Sequence, residues 1–379
     1  MSKPVFIIGG SHHNTLGVIR AFGEKGLQDN IELFISHNDK IITTSRYISK
    51  GKIHYFEQND EIPDLVLEVA RTKETKPIII SCGDPYIEVL DRDSSKLNPY
   101  CILPHGREAY SICKYLDKDY QRHLAEKTGL IMAPVYKSST CIDLEQIEYP
   151  CIVKPLNSTK GSKDEIAVYN SESELKDFLS HVEQSHEIII EKYIDKAAEF
   201  QLIGCSLKQK IIIPGYTNII RQPANTNTGY LKYLPISDGF VSAQLIEKVS
   251  KFIRSIGYEG LFSMEFLRGK DGKDYFLEIN MRNDGNAYCV TMAGVNLPYL
   301  WYKYADKPNL EITENLTFEH PVYWLPEADM RSITTIGVAK WLKQWCSADG
   351  HAYAYLCDPM PFINYLYRLI QRHLIGRKH

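Results

Sequence analysis

Two short apolar stretches, each carrying a carboxylate, constrain this chain more than anything else in it. The first is Ser263-Met264-Glu265-Phe266-Leu267. The second is Phe276-Leu277-Glu278-Ile279-Asn280-Met281-Arg282. Both read as β-strands. A carboxylate inside an apolar strand is costly to bury unless something cationic meets it. Glu278 and Asn280 are two residues apart, so on a strand their side chains share one face. Arg282 continues that face by one more step of two. Glu265, Glu278 and Asn280 supply hard oxygen donors, a set that suits Mg²⁺ held by carboxylates together with nucleotide phosphates. Either glutamate alone reads more readily as an edge or solvent-facing strand residue. The two segments taken together point to a metal–triphosphate site with a cation beside the reacting group.

The bulk properties exclude several classes. A length of 379 residues favours two or three domains or one large composite. With 44% apolar residues, 24% charged residues and a net charge of -3, the chain can build sizeable cores and has no general nucleic-acid footprint. Its nine cysteines stand singly, with no C-x-x-C, and an odd number cannot pair completely within the chain. That favours a reducing compartment. His12-His13 is not a zinc motif and is expected in a loop. No apolar run reaches 18 residues, so no spanning helix is expected. The N-terminus runs straight into a strand without a signal peptide. The expected location is cytoplasmic.

Residues 5–8 form a short apolar run, followed by Gly9-Gly10-Ser11, a helical stretch over 15–25 and a second strand over 31–35. Strand, glycine turn, helix, strand is the opening of a doubly wound α/β unit. The turn reads G-G-S-H-H-N rather than G-x-G-x-x-G, so it is a weak dinucleotide fingerprint. Strands are expected over 77–81, ending in Cys82-Gly83-Asp84, and over 100–104, which closes a first domain near residue 105. A helical stretch over 114–128 follows. A strand over 149–155 carries Lys154 near its end and leads into the polar loop 157–163, which includes Lys160 and Gly161. Another strand spans 187–194. Apolar residues at 241, 245, 249, 252, 253 and 256 predict an amphipathic helix over 241–256.

In this order the motifs resemble the ATP-grasp ligases, the superfamily of biotin carboxylase, carbamoyl-phosphate synthase, D-alanine–D-alanine ligase and D-aspartate ligase. The resemblance covers about residues 1–300. Leu116-Asp117-Lys118 resembles the lysine before the first ATP-grasp helix. Tyr149-Pro150-x-Ile152-Val153-Lys154-Pro155 resembles the strand whose lysine reaches the phosphates. Glu191-Lys192-Tyr193-Ile194 resembles the hinge that holds adenine and ribose, with Glu199 in the downstream acidic position. Glu265 and Glu278-x-Asn280-x-Arg282 resemble the metal ligands and the arginine. Two features depart from the pattern. The loop after Lys154 is Ser-Thr-Lys-Gly-Ser-Lys rather than a long glycine-rich one, and Arg282 is followed by Asn-Asp-Gly-Asn. Outside the resemblance, Lys118 also reads as a solvated helix lysine, Lys154 as an exposed strand-end lysine, and Glu191 as an ordinary helix-start carboxylate.

The resemblance implies an α/β (α+β ATP-grasp) fold. A Rossmann-like domain would span 1–105, and the ATP-grasp domain 106–310, with a lid subdomain about 130–195. A C-terminal extension over 311–379 would end in an amphipathic helix. It implies ATP and Mg²⁺, or Mn²⁺, as cofactors. ATP contacts would come from Lys118, Lys154, Lys160, Glu191, Lys192, Tyr193, Ile194 and Glu199. The metal would be held by Glu265, Glu278 and Asn280, and the catalytic residues would be Arg282 and Lys154. The implied reaction activates a carboxylate as an acyl phosphate and joins it to an amine. The substrates would be small molecules, with a lipid- or sugar-linked acceptor of cell-surface polysaccharide or peptidoglycan metabolism as one option. A non-catalytic nucleotide-binding regulator and a kinase-like phosphotransferase are the alternatives. Arg221 and residues 225–228 read either as substrate contacts or as a surface loop. Over 362–375 an apolar stripe runs beside Arg368, Arg372, Arg377 and Lys378. Such a helix can lie on the inner face of a membrane, join a homodimer or fold onto its own protein.

Overall fold

A computed structural model describes residues 2–37, 41–137, 144–155, 166–181, 188–208, 210–223, 226, 228–307 and 309–375. The chain divides into two compact units. Unit one comprises 1–114, 201–264 and 279–379, and unit two comprises 115–200 and 265–278.

Unit one begins with four strands, β1 (Val5–Gly9), β2 (Ile31–Ser36), β3 (Ile53–Phe56) and β4 (Ile78–Ser81). They form a parallel sheet in the order β3-β2-β1-β4. The alternation along β1 explains why the sheet is covered on both sides. Val5 and Ile7 enter one apolar cluster, and Phe6 and Ile8 enter another. A parallel sheet with helices on both faces buries both sets. The helix His13–Gly23 follows β1 and is buried along its whole length. Its Arg20 is fully buried and pairs with the equally buried Asp358, Nε to Oδ2 at 3.1 Å. Arg20 also donates to the carbonyls of Ala352 and Tyr353, and Asp358 accepts from Ser45 Oγ and the Arg46 amide. Residues 100–104 do not form the expected last strand. Ile102 makes only an isolated bridge to Ile78, because the chain turns away at once towards His105 and its bridge to Glu259.

The strands that follow in chain order are β5 (Val135–Lys137), β6 (Cys151–Pro155), β7 (Ala167–Tyr169), β8 (Ile188–Lys192), β9 (Lys196–Leu207), β10 (Lys210–Ile212), β11 (Gly215–Arg221), β12 (Tyr230–Pro235), β13 (Gly260–Gly269), β14 (Asp274–Asn280) and β15 (Val322–Trp324). In unit one, β13, β9, β11, β12 and β15 are neighbours in that order, with β10 folded back on β9. The C-terminal stretch therefore contributes a strand, β15, besides its helices. The helix Ala243–Ile256 matches its sequence pattern, and all six of its predicted apolar positions are buried. Ser242 caps its start by accepting from the Leu245 amide. Gly257 ends it at φ +67°, where the Arg107 backbone leaves no room for a side chain.

Unit two is built on the sheet β5-β8-β6-β7. Cys151 and Val153 on β6 point into a small core with Ile190 of β8 and Leu175 of the helix Glu172–His181. Ile152 and Lys154 therefore face the opposite way. The β13–β14 hairpin turns at residues 269–273, where Arg268 grips Asp274 at 2.7 and 2.8 Å and Tyr275 donates to Asp271. Its apolar face stacks Phe266 on Phe200.

Candidate active site

One group of candidate residues lies in unit two. Lys154 is near the end of β6, opposite Ile189 of β8. Its Nζ is 2.6 Å from Oε2 of Glu191. The other oxygen of Glu191 accepts from Arg122, on the helix Lys118–Thr128, and that guanidinium also donates to the Ala133 carbonyl. Glu191 is only 7% exposed. Burying its carboxylate is tolerable because two cations meet it, and the trio keeps one net positive charge. Beside it is a cavity of about 100 Å³. Its walls include Met132, Ala133, Ile152, Leu267, Tyr275 and Phe276, and its polar rim includes Lys154 and residues 191–194. Apolar walls with a cationic end suit a flat aromatic base attached to phosphates.

The other predicted nucleotide residues take varied positions. Lys192 pairs with Glu148, and its amide donates to Pro134. The Tyr193 amide donates to Pro150. Glu199, on β9, is held by Lys196 at 2.8 Å. Lys118 opens its helix immediately after the capping Asp117, and its Nζ is 3.6 Å from Oε2 of Glu278 on β14. Glu265 and Glu278 are both half-buried, on neighbouring strands. Lys160 lies outside the described residues.

A separate group lies in unit one. Asn280, at the end of β14, donates to Ser263 at 3.4 Å and accepts from Arg282 at 3.3 Å. Arg282 does not continue the strand, because β14 ends at Asn280. Its guanidinium instead spans Asp84, the Asn283 carbonyl and Asp284. Asp284 is buried and accepts from Ser263 Oγ and the Asn286 amide, both at 2.8 Å. The Asn283 side chain donates to the Asn14 side-chain oxygen, and the Asn14 side chain donates to the backbone carbonyls of Asn283 and Cys82. These bonds tie the loop after β14 to the carboxyl ends of β1 and β4. That is where strand order reverses in the parallel sheet, the place where open α/β sheets bind ligands.

His12 and His13 sit at this crevice rather than in a plain loop. His12 caps the helix His13–Gly23 by accepting from the Asn14 amide at 3.2 Å, and its ring stacks against that of His13. Burial and the nearby Arg282 lower the pKa of His12, against the opposing pull of Asp284. Burial lowers the pKa of His13 well below the ordinary value, and His12 adds to that. Among the described residues the buried Nε2 of His13 has no well-formed hydrogen bond, and the Gly285 backbone opposes the lowering of its pKa. The adjacent Cys82 is no nucleophile, since burial pushes its thiol up to about 12.

Sequence reasoning missed Asp84, Asp284, Asn14 and Arg122. Asp84 stood after a glycine at a strand end, Asn14 ended the G-G-S-H-H-N turn and Asp284 followed Arg282, but none of them carried a role, and Arg122 left no trace. Arg221 has a different place from the one expected. It grips the buried Asp329 at 3.0 Å, bonds Gln344 and lies over the Tyr230 ring, so its charge is spent inside unit one. Asn225 and Asn227 lie outside the described residues. Among the described residues no cluster of three or more His, Cys, Asp or Glu side chains is placed to hold a metal ion. The predicted set has two carboxylates and an amide, and oxygen donors of that kind fit Mg²⁺ completed by phosphate oxygens.

The fold is that of ATP-grasp proteins. Residues 240–326 match the family described as ATP-grasp in the biosynthetic pathway with Ter operon. The chain is 22% identical over 335 residues to D-aspartate ligase of Enterococcus faecium, covering 77% of this chain and 74% of the relative. It is 24% identical over 292 residues to the carbamoyl phosphate synthase large chain of Sulfolobus acidocaldarius, covering 73% of this chain but only 26% of that one. The L-amino acid ligase structure from Bacillus licheniformis superposes with a TM-score of 0.62 at 18% identity, covering 82% of this chain and 76% of that one. Over residues 240–326 the chain thus matches an ATP-grasp family model, it is similar in sequence to ligases, and it shares the ATP-grasp fold.

Proposed function

We propose that the protein joins a carboxylate to an amine, with release of ADP and phosphate. The observation that carries this is the Lys154–Glu191–Arg122 trio at the mouth of an apolar cavity in unit two. Adenine enters the cavity, and Lys154 turns towards the phosphates. Lys118 adds charge on the inner phosphates, and Glu265, Glu278 and Asn280 would hold Mg²⁺. When bound, the metal neutralises the triphosphate. Charge compensation and alignment are most of what a protein can contribute to phosphoryl transfer.

The substrate carboxylate lies at the crevice lined by His12, His13, Asp84 and Arg282. Arg282 aligns it so that one oxygen attacks the γ-phosphorus and ADP leaves. The amine nitrogen then attacks the acyl carbon, phosphate leaves, and the proton lost from nitrogen passes to a basic group or solvent. The likeness to D-aspartate ligase supports an amino acid as the carboxylate, and we take a lipid- or sugar-linked cell-surface precursor as the amine.

No described helix is long and apolar enough to cross a membrane. The helix Met360–Ile375 exposes Met360, Ile363, Tyr367 and Ile370, and such a face fits contact with an anionic membrane. The test of the reaction is a screen of amino acids and other carboxylates for stimulated ADP release, with product masses. A coupled product 18 mass units below the sum of its two substrates supports the reading. A stable phosphorylated product formed without any amine overturns it.

A further inference from the structure

Unit one contains a cavity of about 810 Å³ that shares no residue with the proposed nucleotide or carboxylate sites. It lies among the start of the C-terminal helix, the segment 345–359 and the end of the helix His13–Gly23. Its walls are aromatic, with Tyr288, Trp345, His351, Tyr355 and Phe362 among them. Its charged groups are Glu24 and Asp349, and no lysine or arginine lines it. Neither carboxylate forms an ion pair among the described residues.

The surrounding hydrogen bonds fix this character. The Tyr288 hydroxyl donates to Glu24. Burial, and then the Glu24 charge, raises the pKa values of Tyr288 and Tyr355, so both phenols stay protonated. His351 donates from Nδ1 to the Leu325 carbonyl at 2.8 Å and stacks on Trp345 with ring centroids 3.7 Å apart. Burial lowers its pKa, so it adds no positive charge at neutral pH. The cavity thus combines two carboxylates with aromatic walls; a neighbouring cation, Arg20, lies over the Tyr355 ring at 5.0 Å and is neutralised by its buried partner Asp358.

A negative field repels anions, and the apolar walls are too poor in oxygen donors to hold a bare divalent ion. Aromatic faces and carboxylates attract the same species, an organic cation with an apolar body. We propose that this cavity binds an organic ammonium ion, its charge met by Glu24 and Asp349 and its body laid against the aromatic walls.

The test titrates the full chain with benzylammonium chloride and follows tryptophan fluorescence, with benzyl alcohol as the neutral counterpart. Saturable binding of the ammonium, at least about tenfold tighter than the alcohol, is expected. Glu24→Gln and Asp349→Asn should each narrow that preference while leaving the thermal melt in place. Equal affinity for the two probes, no saturable binding, or a preference that survives both substitutions would overturn the proposal. Lys154→Ala should leave the ammonium affinity unchanged, so this result is independent of the outcome for the ligase reaction.

Discussion

Arg282 and Asp84 form a two-point ion pair, with Nε 3.0 Å from Oδ1 and Nη2 3.2 Å from Oδ2. Asp84 is the first residue of the helix Asp84–Arg92, where the helix dipole favours a carboxylate. Arg282 follows β14 directly. The pair therefore sets the guanidinium over the crevice at the ends of β1 and β4, and it competes with any substrate carboxylate for the same donors.

Arg282→Ala should leave nucleotide affinity within a few-fold of the parent and abolish ligation. Asp84→Asn should lower stability by about 1–3 kcal/mol, the worth of a charge-assisted hydrogen bond in a half-buried place. Calorimetric titration of Mg-ATP and a thermal melt read the two effects separately. Loss of ATP binding in Arg282→Ala would move that residue to the nucleotide.

Glu278→Gln should lower turnover by more than about tenfold, a loss of at least ~1.4 kcal/mol of transition-state stabilisation. It removes a proposed metal ligand and also the partner of Lys118, 3.6 Å away. Steady-state ADP release over a range of Mg²⁺ concentrations checks it, and unchanged turnover at all of them would take Glu278 out of the metal site.

Acid should destabilise unit one through His13. Its folded pKa lies well below the ordinary 6.5 because it is buried beside His12. Below pH 6.5 the unfolded chain therefore binds a proton that the folded chain refuses, and stability falls with pH until the folded pKa is reached. The slope from one such group is at most ~1.4 kcal/mol per pH unit. The charged groups around the pair are Arg282, which strengthens the effect at His12, and Asp284, which weakens it. Chemical denaturation between pH 7 and 5 should show a shallower dependence in His13→Gln than in the parent.

The nucleotide product should be ADP with phosphate. With the right carboxylate present and no amine, hydroxylamine should trap a hydroxamate. Release of AMP and pyrophosphate as the main products would exclude an acyl phosphate.

Asp358→Ala should cost about 3–5 kcal/mol, because it strands a fully buried Arg20. The melting temperature of unit one reports it.

The elements with strict periodicity were readable from the sequence. Residues 241–256 and the strands around Glu265 and Glu278 declare themselves through period and composition. The paired carboxylates were readable because a charged residue in an apolar strand needs a reason. What escaped was whatever depends on distant partners. Nothing local marks Asp84 as the partner of Arg282, since 198 positions separate them. The role of His12 as a helix cap was hidden because histidine is not among the usual capping residues. Residues 100–104 look like a strand by composition, but pairing with β4 fails after one bridge, and composition carries no record of that. Arg221 stood beside a polar run and invited a substrate role, while its true partner, Asp329, lies 108 residues further on.

The buried pair of Arg20 and Asp358 bears on how the chain is made. Its members are separated by 338 residues, so at translation rates of 5–20 residues per second roughly 20–70 s pass between their syntheses. Unit two, whose last residue is 278, has left the ribosome before Asp358 is made. Until then the first helix carries a guanidinium with no buried counter-charge and stays wet on that side. Unit one therefore closes last, although it contains the first residues to emerge, and a nascent chain stalled before residue 358 should hold a folded unit two beside an unfinished unit one.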